Sequence, residues 1–90
     1  MSYEKYGPWA VVAGGSEGVG AEFARLLAQA GLNLILVARK PGPLEATARV
    51  CRRLGAEVRT LAVDLVEADS VASLLALTDG LEVGLLIYNA

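Results

Sequence analysis

Histidine is absent from the chain, and cysteine occurs once, at Cys51. Without histidine, neither a Cys–His nucleophilic pair nor a histidine-ligated metal can be assembled from these residues, and no metal site is expected. One cysteine forms no disulfide within the chain and no multi-cysteine zinc site, which leaves Cys51 as a helix thiol with a packing role. Positive charge is also scarce: eight lysines and arginines against ten aspartates and glutamates give a net charge of −2. That balance argues against nonspecific binding to nucleic acid or acidic membranes, both of which need concentrated positive charge. The densest basic group, Arg49, Arg52 and Arg53, reads as the solvated face of a helix. No apolar run approaches the ~20 residues of a membrane-spanning helix. Residues 1–8, with Glu4 and Lys5, hold no secretory apolar segment. The expectation is a soluble, cytoplasmic protein.

Apolar residues are abundant instead. They make up 54% of the chain with tyrosine counted, against a usual ~45–50% that already includes glycine. A parallel sheet covered on both faces has that composition, and so does a fragment whose missing part would cover bare surface. Ninety residues suit one domain, 1–90.

Strand and helix patterns alternate from end to end. Short β-branched or apolar runs at residues 9–13, 33–38, 57–63 and 83–88 read as strands. After the first strand, Val19, Phe23, Leu26, Leu27 and Ala30 recur at helical spacing and predict the inward face of a helix that Gly31 stops. Pro43 is placed to open a second helix carrying Leu44, Ala48, Cys51 and Leu54 inward, closed by Gly55. Asp69 and Ser70 are capping candidates for a third, with Val71, Leu74, Leu75 and Thr78 inward and Gly80 beyond its end. Short βα connections require parallel neighbours, and right-handed crossovers place the first two helices on one face. A fourth strand returning beside the first gives the order 3-2-1-4, a Rossmann-type α/β sheet with helices on both faces and a switch point at the end of the first strand.

The residues at that switch point read Ala-Gly-Gly-Ser-Glu-Gly-Val-Gly over 13–20. Gly14, Gly18 and Gly20 have the spacing G-x-x-x-G-x-G between a strand and a helix. Glycines there permit a tight turn and close approach of backbone to a pyrophosphate, which the free N–H groups and positive dipole end of the following helix would face. Asp64, after the third strand, is a carboxylate suited to accept a hydrogen bond from an adenine amino group, or a simple turn residue. Asn89 can donate and accept at once, and Ser16 is most simply a turn residue that satisfies local backbone.

Together these features resemble the short-chain dehydrogenase/reductase family, and the likeness runs from Trp9 to Ala90. Residues 13–20 resemble its Thr-Gly-x-x-x-Gly-x-Gly turn, Val37-Ala38-Arg39 the end of its second strand, Asp64-Leu65 its adenine-contacting pair, and Tyr88-Asn89-Ala90 the start of its Asn-Asn-Ala-Gly motif. Ala13 stands where the family usually has Thr, and Tyr88 where it has the first Asn. The resemblance implies a nicotinamide dinucleotide held by Gly14, Ser16, Gly18, Val19, Gly20, Arg39, Asp64, Leu65, Asn89 and Ala90. It also implies hydride transfer with a small-molecule carbonyl or alcohol substrate, and a homo-oligomer for the full-length protein.

An acid at the end of the second strand commonly selects NAD, whereas this chain has Ala38 followed by Arg39 and Lys40; a guanidinium there suits an adenosine 2′-phosphate. The residues therefore favour NADP over NAD, although Glu17 in the glycine turn opposes that choice unless it points away. The family's catalytic Ser and Tyr-x-x-x-Lys are not found: Tyr3, Tyr6 and Tyr88 have no lysine four residues on, and the only lysines are Lys5 and Lys40. The expectation is the cofactor-binding part of a short-chain oxidoreductase, truncated after the fourth strand. The alternatives are a non-catalytic nucleotide-binding or regulatory module and, less well supported without an acid at the second strand end, an adenosylmethionine-dependent methyltransferase.

Overall fold

The computed structural model describes residues 8–14, 18–64 and 68–88. Strand β1 (Trp9–Ala13) is followed by helix α1 (Gly18–Gln29), β2 (Asn33–Ala38), α2 (Pro41–Arg53), β3 (Val58–Ala62), α3 (Ala68–Thr78) and β4 (Val83–Tyr88). The four strands are parallel, as the βα alternation requires, and β4 lies beside β1 to give the expected order β3-β2-β1-β4. The third strand is shorter than its apolar run, and α2 begins at Pro41 rather than Pro43. The register is regular except beside Gly84, where β4 carries one extra residue between the partners of Trp9 and Ala10. Such a bulge bends the strand locally.

Strand alternation divides the interior into two layers. On one face, Ala10, Val12, Leu34, Leu36 and Val58 meet Ala24, Leu27 and Ala28 of α1 and Leu44, Ala48 and Cys51 of α2. On the other, Trp9, Val11, Ala13, Ile35 and Val37 meet Leu74 and Leu77 of α3, with Leu81 beyond it. Each fully buried Leu or Ile contributes roughly 1.5–3 kcal/mol by leaving water, and six such side chains lie below 2% exposure together with Val12, Val37 and Cys51, or at it in the case of Leu27.

Inward assignments read from periodicity are corrected in all three helices. In α1, Val19, Phe23 and Leu26 are exposed at 60%, 43% and 52%, and the buried stripe is Gly20, Ala24, Leu27 and Ala28. Small side chains lie against the sheet because they let the helix axis approach it closely, and larger ones at those positions would hold it off. In α2, Leu44, Ala48 and Cys51 are buried as expected, but Leu54 is the C-cap and is exposed. In α3, Leu74 and Leu77 face the sheet and Leu75 is 63% exposed; the side chain of Val71 lies outside the described residues. Asp69 falls in the first turn of α3, one residue inside its start.

Polar contacts tie the layers at their margins. Arg52 donates to the Val58 carbonyl at 2.8 Å, and the Thr60 hydroxyl donates to Glu45 at 2.7 Å. Asn33 Oδ1 accepts the Glu57 N–H at 3.0 Å. Glu22 and Arg25 pair along the exposed side of α1, a surface ion pair of small worth.

The corrected face of α1 makes a direct comparison. Leu27→Ala should lower unfolding free energy by about 2–5 kcal/mol, while Leu26→Ser should stay within about 0.5 kcal/mol of the parent, both read from denaturant melts. A second test concerns Cys51, whose thiol burial pushes above its ordinary 9.0 against a smaller opposing pull from Arg25. The folded state holds this proton more tightly, so its contribution is fully present below the unfolded thiol's pKa and is lost as pH rises through the folded one. Thermal melts across about pH 8–10 should decline more steeply for the parent than for Cys51→Ala.

Candidate functional site

The strand registers bring four chain segments to one edge of the sheet. Ala13 pairs with Val37 and with Tyr88, and Ala38 pairs with Ala62. The carboxyl ends of all four strands therefore lie side by side, and each segment leaving them departs from the same edge. With ~4.8 Å between neighbouring strands, the row from β3 to β4 spans about 14 Å. Along it stand Asp64 beyond β3, Arg39 beyond β2 and Gly14 beyond β1. The carboxyl end of β4, at Tyr88, completes the row.

At the centre of the row, Gly14 has φ of 81° and its N–H donates to the Val37 carbonyl at 2.6 Å. The chain thus turns as soon as it leaves β1. Gly18, the first residue of α1, has φ of 58°, and a Cβ there would meet nothing within 4 Å. Glycine is required at that position by backbone conformation rather than by crowding. Gly20 is buried in the first turn. That turn contains no acidic residue, so no carboxylate in the first turn of α1 opposes an anion at its positive dipole end. Val19 is exposed beside them, which removes it from the core and leaves it beside the crevice.

Next to it, Arg39 and Lys40 are both exposed at the end of β2. Lys40 is the N-cap of α2 and makes no side-chain capping bond. Pro41 and Pro43 have no N–H, so only Gly42 among the first three helical residues can donate. Positive charge at this end of the crevice is therefore carried by two exposed side chains more than by the helix start. Lys40 stands with Arg39 as a second cation at this place. At the outer end, the Val63 N–H donates to the Ala38 carbonyl at 2.9 Å, extending the β2–β3 pairing one step and delivering the half-buried Asp64 to the edge.

Ser16, Leu65, Asn89 and Ala90 lie outside the described residues, as does Glu17. A separate shallow groove of about 170 Å³ on α1, lined by Val19, Glu22, Phe23 and Leu26, is too small for a dinucleotide. Among the described residues, no cluster of His, Cys, Asp and Glu has the makings of a metal site, and no helix is long and apolar enough to cross a membrane.

A 3-2-1-4 parallel sheet with a glycine-lined turn at its switch point defines a Rossmann-type α/β unit. Comparison with known proteins narrows the class. A family profile described as short chain dehydrogenase matches residues 8–90, and the chain belongs to that family. It is 44% identical to a very-long-chain 3-oxoacyl-CoA reductase of Podospora anserina, over 97% of this chain and 27% of that protein. A solved structure of a 7β-hydroxysteroid dehydrogenase superposes with a TM-score of 0.93 at 33% identity, covering 100% of this chain and 36% of the other. L-Sorbose reductase from Gluconobacter frateurii, solved with NADPH and L-sorbose, superposes with a TM-score of 0.86 at 29% identity, covering 100% and 35%. The chain thus spans roughly a third of the length of these relatives, all of them oxidoreductases.

The two glycine environments predict opposite signs. Gly18→Ala should destabilise by about 1–2 kcal/mol, the cost of placing an L side chain at positive φ. Gly42→Ala, in helical backbone with open space around the added methyl, should stabilise by about 0.4–1 kcal/mol. Urea melts of the two variants check both.

Proposed function

We propose that this chain is the NADP(H)-binding part of a short-chain oxidoreductase that moves hydride between the dinucleotide and a carbonyl or alcohol substrate. The observation that carries the reading is the row of strand ends. Asp64, Arg39 and Gly14 follow one another in the order adenine, adenosine ribose and pyrophosphate, with the end of β4 beyond them. The cofactor supplies the hydride donor or acceptor.

Each residue in the row has a binding task that suits its chemistry. Asp64 accepts from the adenine amino group. Arg39, assisted by Lys40, pairs with a 2′-phosphate; its planar fork matches that group, and the small Ala38 leaves room where a carboxylate would repel it. Gly14 and Gly18 let the backbone approach the pyrophosphate, and the N–H groups opening α1 meet its charge. Val19 offers an apolar contact beside the turn. Fit of the 2′-phosphate rests on the exposure of Arg39 and Lys40 and on the absence of an acid in the first turns of α1 and α2.

The relatives support the chemistry. By name they act on a 3-oxoacyl-CoA and a 7β-hydroxysteroid, each one member of a carbonyl/alcohol pair, and the sorbose reductase was solved with NADPH. The ninety residues themselves bind and orient. They contain no tyrosine followed four positions later by lysine, so proton transfer to a carbonyl in the family's manner falls outside them.

Calorimetry with the two cofactors tests the assignment. The parent should bind NADPH about tenfold or more tightly than NADH, as one charge-assisted hydrogen bond of about 1.5–3 kcal/mol predicts. The double variant Ala38→Asp, Arg39→Ala should reverse that order. A parent that prefers NADH would overturn the role given to Arg39, and one that binds neither would overturn the dinucleotide reading.

A further inference from the structure

Helix α3 is the least firmly seated element of the fold. Its sheet-facing leucines, Leu74 and Leu77, are only half-buried, and its last turn contains no basic residue to answer the negative end of the helix dipole. Arg59 of β3 supplies that cation from outside the helix. Its Nη1 donates to the Leu77 carbonyl at 3.3 Å, and its guanidinium centre lies 5.0 Å from the centroid of the Trp9 ring. Its Nη2 is 3.6 Å from the Glu57 carboxylate. One side chain thus joins β1, β3 and the carboxyl end of α3 beside the apolar layer of Trp9, Val11, Ile35 and Val37. Trp9 is buried, whereas the Arg59 side chain is 40% exposed, so the guanidinium covers the ring from the solvent side.

The other end of α3 opens just past Asp64, after residues 65–67. An eleven-residue helix behaves as a stiff rod of about 16 Å, so holding its carboxyl end against β1 and β3 constrains where its amino end meets the strand-end row. We propose that Arg59 is a positioning residue for the dinucleotide site: it fixes α3 on the sheet and thereby the placement of the Asp64 segment that receives the adenine end. The inference rests on the dinucleotide reading above and adds to it a residue at the opposite edge of the sheet from the ligand.

The test uses the full chain and two probes, NADPH and adenosine 2′,5′-bisphosphate, titrated calorimetrically into the parent, Arg59→Met and Arg59→Lys. Trp9 is the single tryptophan, so its emission reports directly whether the guanidinium has left the ring. The expected result is that Arg59→Met binds both probes about three- to thirty-fold more weakly, the range for mutations that act through an intervening element, with far-UV dichroism retained. Arg59→Lys, which keeps a cation near the ring but loses the fork, should recover part of that loss. A purely structural role would lower the melting temperature and change the Trp9 emission while leaving both affinities at parental values; that outcome overturns the proposal. If Arg59→Met fails to fold, Arg59→Lys carries the test through the same two readings, weaker binding supporting it and parental binding overturning it. A parent that binds neither probe overturns the dinucleotide reading and this inference with it, whereas parental binding with unaltered variants overturns the inference alone.

Discussion

Strand β1 has no side that meets water, and most of the structure follows from that constraint. All five of its residues are buried, its backbone is paired along both edges, and helices cover both of its faces. A strand in that position must have parallel neighbours reached by crossover helices, because a tight hairpin would reverse the chain. The crossovers return each strand to the same starting edge, and all carboxyl ends consequently lie together. The site is assembled by this geometry before any individual side chain contributes to it: Gly14, Arg39 and Asp64 are far apart in sequence and adjacent along the sheet edge.

The same geometry gives each segment its particular chemistry. Where β1 gives way to α1, the strand's last ladder bond is taken by the Gly14 N–H and the helix opens on a first turn with no acidic residue, so its amino end presents the positive end of the helix dipole. Where β2 gives way to α2, two prolines remove most of the donors, and charge enters through Arg39 and Lys40. One transition thus suits a diphosphate approached by backbone, the other a monophosphate met by side chains. Both arise from which residues occupy the first turn of a helix, a short-range property of the sequence.

That short-range character explains what the sequence disclosed. Strand order and the placement of Gly14, Arg39 and Asp64 followed from βα alternation and a few motifs, because strand ends are punctuated by Gly, Pro and charge. The inward face of α1 did not. Val19, Phe23 and Leu26 lie at helical spacing, and so do Gly20, Ala24, Leu27 and Ala28; periodicity alone scores the larger residues higher. What decides between the stripes is the distance at which α1 rides over the sheet beside α2, a tertiary quantity that small residues permit and no local pattern displays. Leu75 and Leu77 present the same ambiguity in α3, where a run of apolar residues offers two faces and the sheet selects one. Arg59 was invisible for a related reason: its partners Trp9 and Leu77 stand fifty residues before it and eighteen after.

The two edges of the sheet are finished differently, and this locates the chain's apolar surplus. Along β3, Thr60 engages Glu45 and Arg52 takes the Val58 carbonyl, with Glu57 and Arg59 beside them, so polar and charged groups guard the backbone that an incoming strand would need. Along β4, Leu86 is 66% exposed and Val83 37%. A strand of Val-Gly-Leu-Leu-Ile-Tyr has the composition of one buried on both faces, yet among the described residues it pairs only with β1. The outer stripe of α1 has the same character. The apolar excess therefore does not lie in the interior alone: part of it forms the surface of α1 and β4, and those are the elements whose exposed faces water disfavours most strongly.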